Sequence, residues 1–86
     1  MIKNERNNNL ERISMKVIHR IITILAENGS DNKTRIAQKA YLRYDYCVRY
    51  LKWLETIGFI RKVFEDKNET WSLSEKGMKF YKSFVN

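Results

Sequence analysis

Twice in this chain a stripe of apolar residues at helical spacing stops at a glycine, and those two stripes limit the possible folds more than any other feature. Ile18, Ile21, Ile22 and Leu25 follow the i, i+3, i+4, i+7 spacing of one helix face, Ile13, Val17 and Ile24 widen it, and Gly29 follows. Tyr44, Cys47, Leu51, Leu54 and Gly58 repeat the arrangement at intervals of three and four. A glycine just past the last apolar position permits the left-handed backbone that satisfies a helix's final carbonyls. The spacing predicts helices over Leu10–Asn28 and Tyr44–Ile57.

Between these helices, Ser30 to Asn32 is polar and turn-prone, and Asn32 or Thr34 can cap a short helix whose inward face is Ile36, Ala37 and Ala40. Tyr41, Leu42 and Arg43 break its pattern and leave room for a turn of three or four residues. After Gly58, the stretch Phe59–Glu65 is aromatic and β-branched, Asp66–Glu69 is a polar turn and Thr70–Ser74 is again β-prone, which predicts a hairpin. Ser74 can cap a final helix from Glu75 to about Val85, with Met78, Phe80, Tyr81 and Phe84 apolar at helical spacing. The expected architecture is mainly α with a small β-hairpin: a three-helix core, a hairpin and a C-terminal helix. Helix, short turn, helix and hairpin in that order describe a winged helix-turn-helix. Met1–Asn9, polar and without periodicity, reads as a flexible basic and polar arm ahead of a single domain over 10–86.

An 86-residue chain with 43% hydrophobic residues can build one modest core, which disfavours a deep catalytic cleft. No apolar stretch approaches the roughly 20 residues that span a bilayer. One cysteine and one histidine exclude an internal disulfide and fall short of a structural zinc set. The expectation is an intracellular, cytoplasmic protein without a metal, cofactor or evident small-molecule ligand. Phosphate-binding glycine loops and clustered catalytic side chains are lacking, so no enzyme is expected.

The net charge of +7 is concentrated. Between Lys33 and Trp53 stand Lys33, Arg35, Lys39, Arg43, Arg49 and Lys52 against Asp45 alone, interleaved with Tyr41, Tyr44, Tyr46, Tyr50 and Trp53. Cations mixed with aromatic rings suit a polyanion that offers stacking or groove surfaces, nucleic acid above all. A plain solvated face is the ordinary alternative. In a winged helix-turn-helix the third helix enters the major groove, the second crosses the backbone and the hairpin tip reaches adjacent phosphates or the minor groove. On that geometry Arg35 and Lys39, with Lys33, Thr34 and Gln38 beside them, meet phosphate. Arg43, Tyr46 and Arg49 face base edges, with Lys52 and Trp53 on the same outward side, while Arg61, Lys62 and Lys67 serve the hairpin.

Several residues have plainer readings. Cys47 lies on the buried stripe as a small packing residue. Tyr44 and Tyr50 flank the core and read as packing side chains. Trp71 alternates with Leu73 and falls between hairpin and core. Trp53 faces outward, under the hairpin, in a dimer contact or near DNA. His19 lacks catalytic partners and reads as structural. Glu65, Asp66 and Glu69 form a solvated cluster around the hairpin turn.

Lys33-Thr34-Arg35-Ile36-Ala37, then Ala40, Leu42 and Tyr44, followed by Tyr50-Leu51, Leu54, Gly58-Phe59-Ile60, Leu73-Ser74 and Lys76-Gly77, resembles the small archaeal winged helix-turn-helix proteins. That family includes chromatin-associated DNA-binding members that dimerise. The resemblance covers Leu10 to Val85 and implies double-stranded DNA binding in transcription regulation or DNA architecture. Tyr41 stands where the family often has asparagine, Arg43 where a small polar residue is common and Cys47 where leucine is usual. The long coiled coil that follows the last helix in some relatives is not expected here, so their mode of pairing need not transfer. A homodimer paired through Met78, Tyr81 and Phe84 is the expected assembly, and an adaptor that binds proteins of the transcription machinery is the alternative function.

Overall fold

The computed structural model describes residues 12–85. The proposed arm Met1–Asn9 and the expected helix start at Leu10 lie outside them. The elements run α1 (Met15–Asn28), β1 (Ser30–Asp31), α2 (Lys33–Lys39), α3 (Tyr44–Thr56), β2 (Ile60–Glu65), β3 (Asn68–Leu73) and α4 (Glu75–Val85).

Side chains set where the helices begin. The first helix starts at Met15 because the Ser14 hydroxyl accepts from the Val17 amide, leaving Arg12 and Ile13 outside it. Asn32 caps α2 by accepting from the Arg35 amide at 2.9 Å, and Ser74 caps α4 by accepting from the Gly77 amide at 3.0 Å. The ends of α2 and α3 share one device. At α3, Gly58 has φ +87°, its amide donates to the Glu55 carbonyl and the Phe59 amide donates to that of Leu54. At α2 the same pair of bonds runs from Tyr41 to Gln38 and from Leu42 to Ala37, with Tyr41 taking the left-handed position at φ 58°. Both are the reciprocal bonding of a Schellman cap. From α1, the Arg20 guanidinium donates to the Ala40 carbonyl at 2.7 Å and binds the α2 terminus from the other side.

The core joins Ile18, Ile21, Ile22 and Leu25 of α1 to Ile36 and Ala37 of α2, Cys47, Leu51 and Leu54 of α3, and Ile60 and Trp71 of the sheet. Ser30–Asp31, expected as a turn, is a strand: it pairs antiparallel with Ser72 and Trp71, so the hairpin becomes a three-stranded sheet in the order β1-β3-β2. The hairpin closes through Asp66 and Lys67, with Asp66 at φ 60°.

Tyr44 and Tyr50 part company. Tyr50 is buried, and its hydroxyl accepts from the Ser14 amide at 3.0 Å; Tyr44, expected on the packing face, is 53% exposed. At roughly 100° per residue, Cys47, Tyr50, Leu51 and Leu54 centre the buried face, and Tyr44 falls off its edge in the first turn, where no other element covers it. Trp53, expected to face outward, is half-buried and packs against the core.

Candidate nucleic-acid interface

The middle of the α3 face turned away from the core is formed by Asp45, Arg49, Lys52 and Thr56, a band about 60° wide by helical geometry. Tyr46 and Trp53 border one side of the band, Tyr44 and Val48 the other. All four band residues are exposed, and neither Arg49 nor Lys52 has an ionic partner among the described residues. Arg43, at the helix entrance, is exposed and lies 3.5 Å from Asp45. Tyr46 is held in place: its ring meets that of Tyr50 edge-on, with centroids 5.6 Å apart. The ridge thus carries Arg49 and Lys52 behind one acid, Asp45, with Tyr46 and Trp53 along one margin and Tyr44, Val48 and the exposed Glu55 along the other.

On α2 the structure treats the predicted cations differently. Asp31 is only 5% exposed and accepts from the Lys39 ammonium at 2.9 Å, with the Arg35 guanidinium 3.8 Å away. Their charge is partly engaged by the protein's own carboxylate, and Asp31 escaped sequence reasoning although it stands four residues before Arg35. Thr34 and Gln38 are exposed. Lys33, at the start of α2, reaches across to Glu69 on β3 at 3.2 Å, and Lys62 on β2 reaches the same carboxylate at 3.3 Å. Bonded first by Lys33 and then by Lys62, Glu69 has a pKa below the ordinary glutamate value. Lys62 also lies over the Trp71 ring, 5.3 Å from its centroid.

The hairpin proper is electrically balanced: Arg61, Lys62 and Lys67 stand among Glu65, Asp66 and Glu69. Arg61 and Lys67 are exposed and have no ionic partner among the described residues. Phe64, not singled out from the sequence, is 69% exposed. On α4, Tyr81 and Phe84 of the expected dimer face pack against the core instead of standing clear, and Phe84 stacks on His19 of α1 at 4.0 Å. Met78 is half-buried. Among the described residues no helix is long and apolar enough to cross a membrane, and no group of acidic, histidine or cysteine side chains could hold a metal ion.

Comparison with known proteins agrees with this arrangement. Residues 11–86 match the winged helix-turn-helix family. An uncharacterised protein of Methanocaldococcus jannaschii is 36% identical over 78 residues, covering 91% of this chain and 75% of that protein. Among solved structures, NadR in complex with 4-hydroxyphenylacetate superposes with a TM-score of 0.71 at 26% identity, covering 84% of this chain and 52% of NadR. A MarR family transcriptional regulator from Silicibacter pomeroyi gives 0.73 at 18% identity, over 81% of this chain and 51% of the other. Sso10a-2, a DNA-binding protein from Sulfolobus solfataricus, gives 0.71 at 22% identity, over 84% and 74% respectively. The chain spans about half the length of the first two of these structures. Its sequence match over nearly the whole length and its order of helices and hairpin place the chain in the winged helix-turn-helix family.

Proposed function

We propose that this protein binds double-stranded DNA, as a transcriptional regulator or an architectural protein and without catalysis, with α3 in the major groove and the hairpin on the flanking backbone. The observation that carries the reading is the outward face of α3, where Arg49 and Lys52 stand exposed, without an ionic partner among the described residues, with Tyr46 on one side and Tyr44 on the other. Arg43, Thr34 and Gln38 extend the contact at the helix-turn-helix, and Arg61 and Lys67 supply it from the hairpin. Lys33, Arg35, Lys39 and Lys62 contribute once phosphate competes with Asp31 and Glu69. DNA binding by Sso10a-2 and the regulatory role of the MarR family protein support the same reading. A nucleoid location follows from that partner, and a homodimer would present two α3 ridges to one duplex.

Titration of a random duplex at increasing salt tests it. If each chain neutralises about five phosphates, log K falls by about 4.5 per decade of salt. Affinity that does not change with salt rejects the proposal. Arg49→Ala weakens binding by about 1–3 kcal/mol at one base-pair position where it makes a bidentate base contact, and uniformly across sequences where it holds phosphate.

The balanced charge of the hairpin and the exposed Phe64 favour a second reading, in which the hairpin docks a protein of the transcription machinery. A pure adaptor of that kind shifts no duplex in a gel, even at low ionic strength.

A further inference from the structure

The rings bordering the α3 ridge stand in an unusual setting. Tyr44 and Tyr46 occupy the first turn of α3, one on each margin of the line through Arg49 and Lys52, and both are exposed. Tyr46 is oriented in advance by its edge-on contact with the buried Tyr50, so binding through it loses little side-chain freedom. Just ahead of them Tyr41 is 86% exposed in a left-handed backbone position that glycine would fill without strain. Three exposed phenol rings within six residues are unfavourable to leave in water, and the neighbouring cations specify an anionic partner. In duplex DNA, the apolar group that the major groove displays is the thymine 5-methyl.

Building on the DNA-binding reading above, we infer that Tyr44 and Tyr46 form a specificity element that packs against thymine 5-methyl groups in the major groove, giving this protein a preference for thymine-bearing sites. The cations Arg43, Arg49 and Lys52 hold the helix against phosphates and bases, and the rings distinguish thymine from cytosine by apolar contact. Tyr41, at the preceding turn, extends the aromatic margin.

The test replaces every thymine of a 20-base-pair A·T-rich duplex with deoxyuridine, which removes the methyl groups and leaves the hydrogen-bonding edges intact. The wild-type chain should bind the uracil duplex about fourfold more weakly for each methyl that it buries, from the transfer free energy of one such group. Tyr44→Ala and Tyr46→Ala should each lose part of that discrimination, whereas Tyr46→Phe, which keeps the ring and the fold, should retain it. Equal affinity of the wild type for both duplexes, with salt-dependent binding intact, overturns the inference and leaves the DNA-binding reading standing. Failure to bind either duplex at low salt overturns both. Discrimination that survives unchanged in both Tyr44→Ala and Tyr46→Ala assigns the methyl contact to other residues, and tighter binding to the single strand assigns the rings to base stacking; either result rejects methyl recognition by these rings.

Discussion

Tyr41 and Gly58 occupy equivalent places in two equivalent caps, and the difference between them is a difference in free energy. A side chain with a Cβ in the left-handed region is disfavoured by about 1–2 kcal/mol, whereas glycine is not. Tyr41→Gly should therefore raise stability by about 0.5–1 kcal/mol after subtraction of glycine's greater freedom in the unfolded chain, read as a higher denaturant midpoint. A lowered midpoint would mean that the Tyr41 ring contributes packing of its own. Gly77 is the opposite case. A Cβ there would run into the Phe59 carbonyl and sit 3.2 Å from Leu73 Cδ2, so Gly77→Ala should cost about 1–3 kcal/mol, measured in the same way. Cys47 is fully buried, and burial pushes its thiol up to about 11. Native protein at pH 8 should resist thiol alkylation until it is unfolded. Because the folded pKa lies above the ordinary thiol value of about 9, this group's contribution is intact below pH 9 and is lost as pH rises toward 11, where the unfolded chain ionises first.

At the scale of elements, Glu69 connects the hairpin to the start of α2 through Lys62 and Lys33. Its pKa is depressed, so the contribution of the bridge is present above about pH 4.5 and disappears as pH falls through the lower folded value. The carboxylate also competes with DNA for the two lysines. Glu69→Gln should tighten duplex binding and steepen the salt dependence by up to about 1.8 in slope, two further phosphates at about 0.9 each. An unchanged slope would place Lys33 and Lys62 away from the DNA. The α-elements were legible because each carries apolar residues at helical spacing, and Asn32 and Ser74 cap where the sequence permits capping; α3 has no side-chain cap, and the cap at Ser14 was not legible, so the first helix starts later than its spacing suggested. The strand Ser30–Asp31 was not legible, because two residues have no period and its pairing with Ser72 and Trp71 depends on residues some forty positions away. The position of Tyr44 was not legible for a related reason: spacing puts it on the stripe with Cys47, but the packing covers Cys47 in that turn and leaves Tyr44 at the edge of the buried face.

For the whole molecule, the open question raised by α4 is where its aromatic face goes. Phe80, Tyr81 and Phe84 pack on the domain itself, with Phe84 stacked on His19 and Phe80 against Phe59 at 4.8 Å. A single chain thus covers much of the surface that the sequence assigned to a dimer. If Met78, the outer edge of Tyr81 and the exposed Val85 still pair two copies, light scattering at high concentration should give twice the 10.4 kDa chain mass. Met78→Glu should return it to one. A single-chain mass at every concentration would mean that α4 serves only its own core.

Local chemistry alone specified four helices, some of their caps, a hairpin and a concentration of positive charge around the second and third helices, since periodicity, capping residues and net charge act over a few positions. Only the fold decided which of those charges remain available: burial of Asp31 beside Arg35 and Lys39, and convergence of Lys33 and Lys62 on Glu69, join residues from different elements. Ion pairing and exposure depend on distances in space, and a linear sequence records separation along the chain. That is why Arg49 and Lys52, placed by spacing on the outward side of α3 together with other predicted cations, are distinguished from Lys33, Arg35, Lys39 and Lys62 by their lack of an ionic partner among the described residues only once the chain is folded.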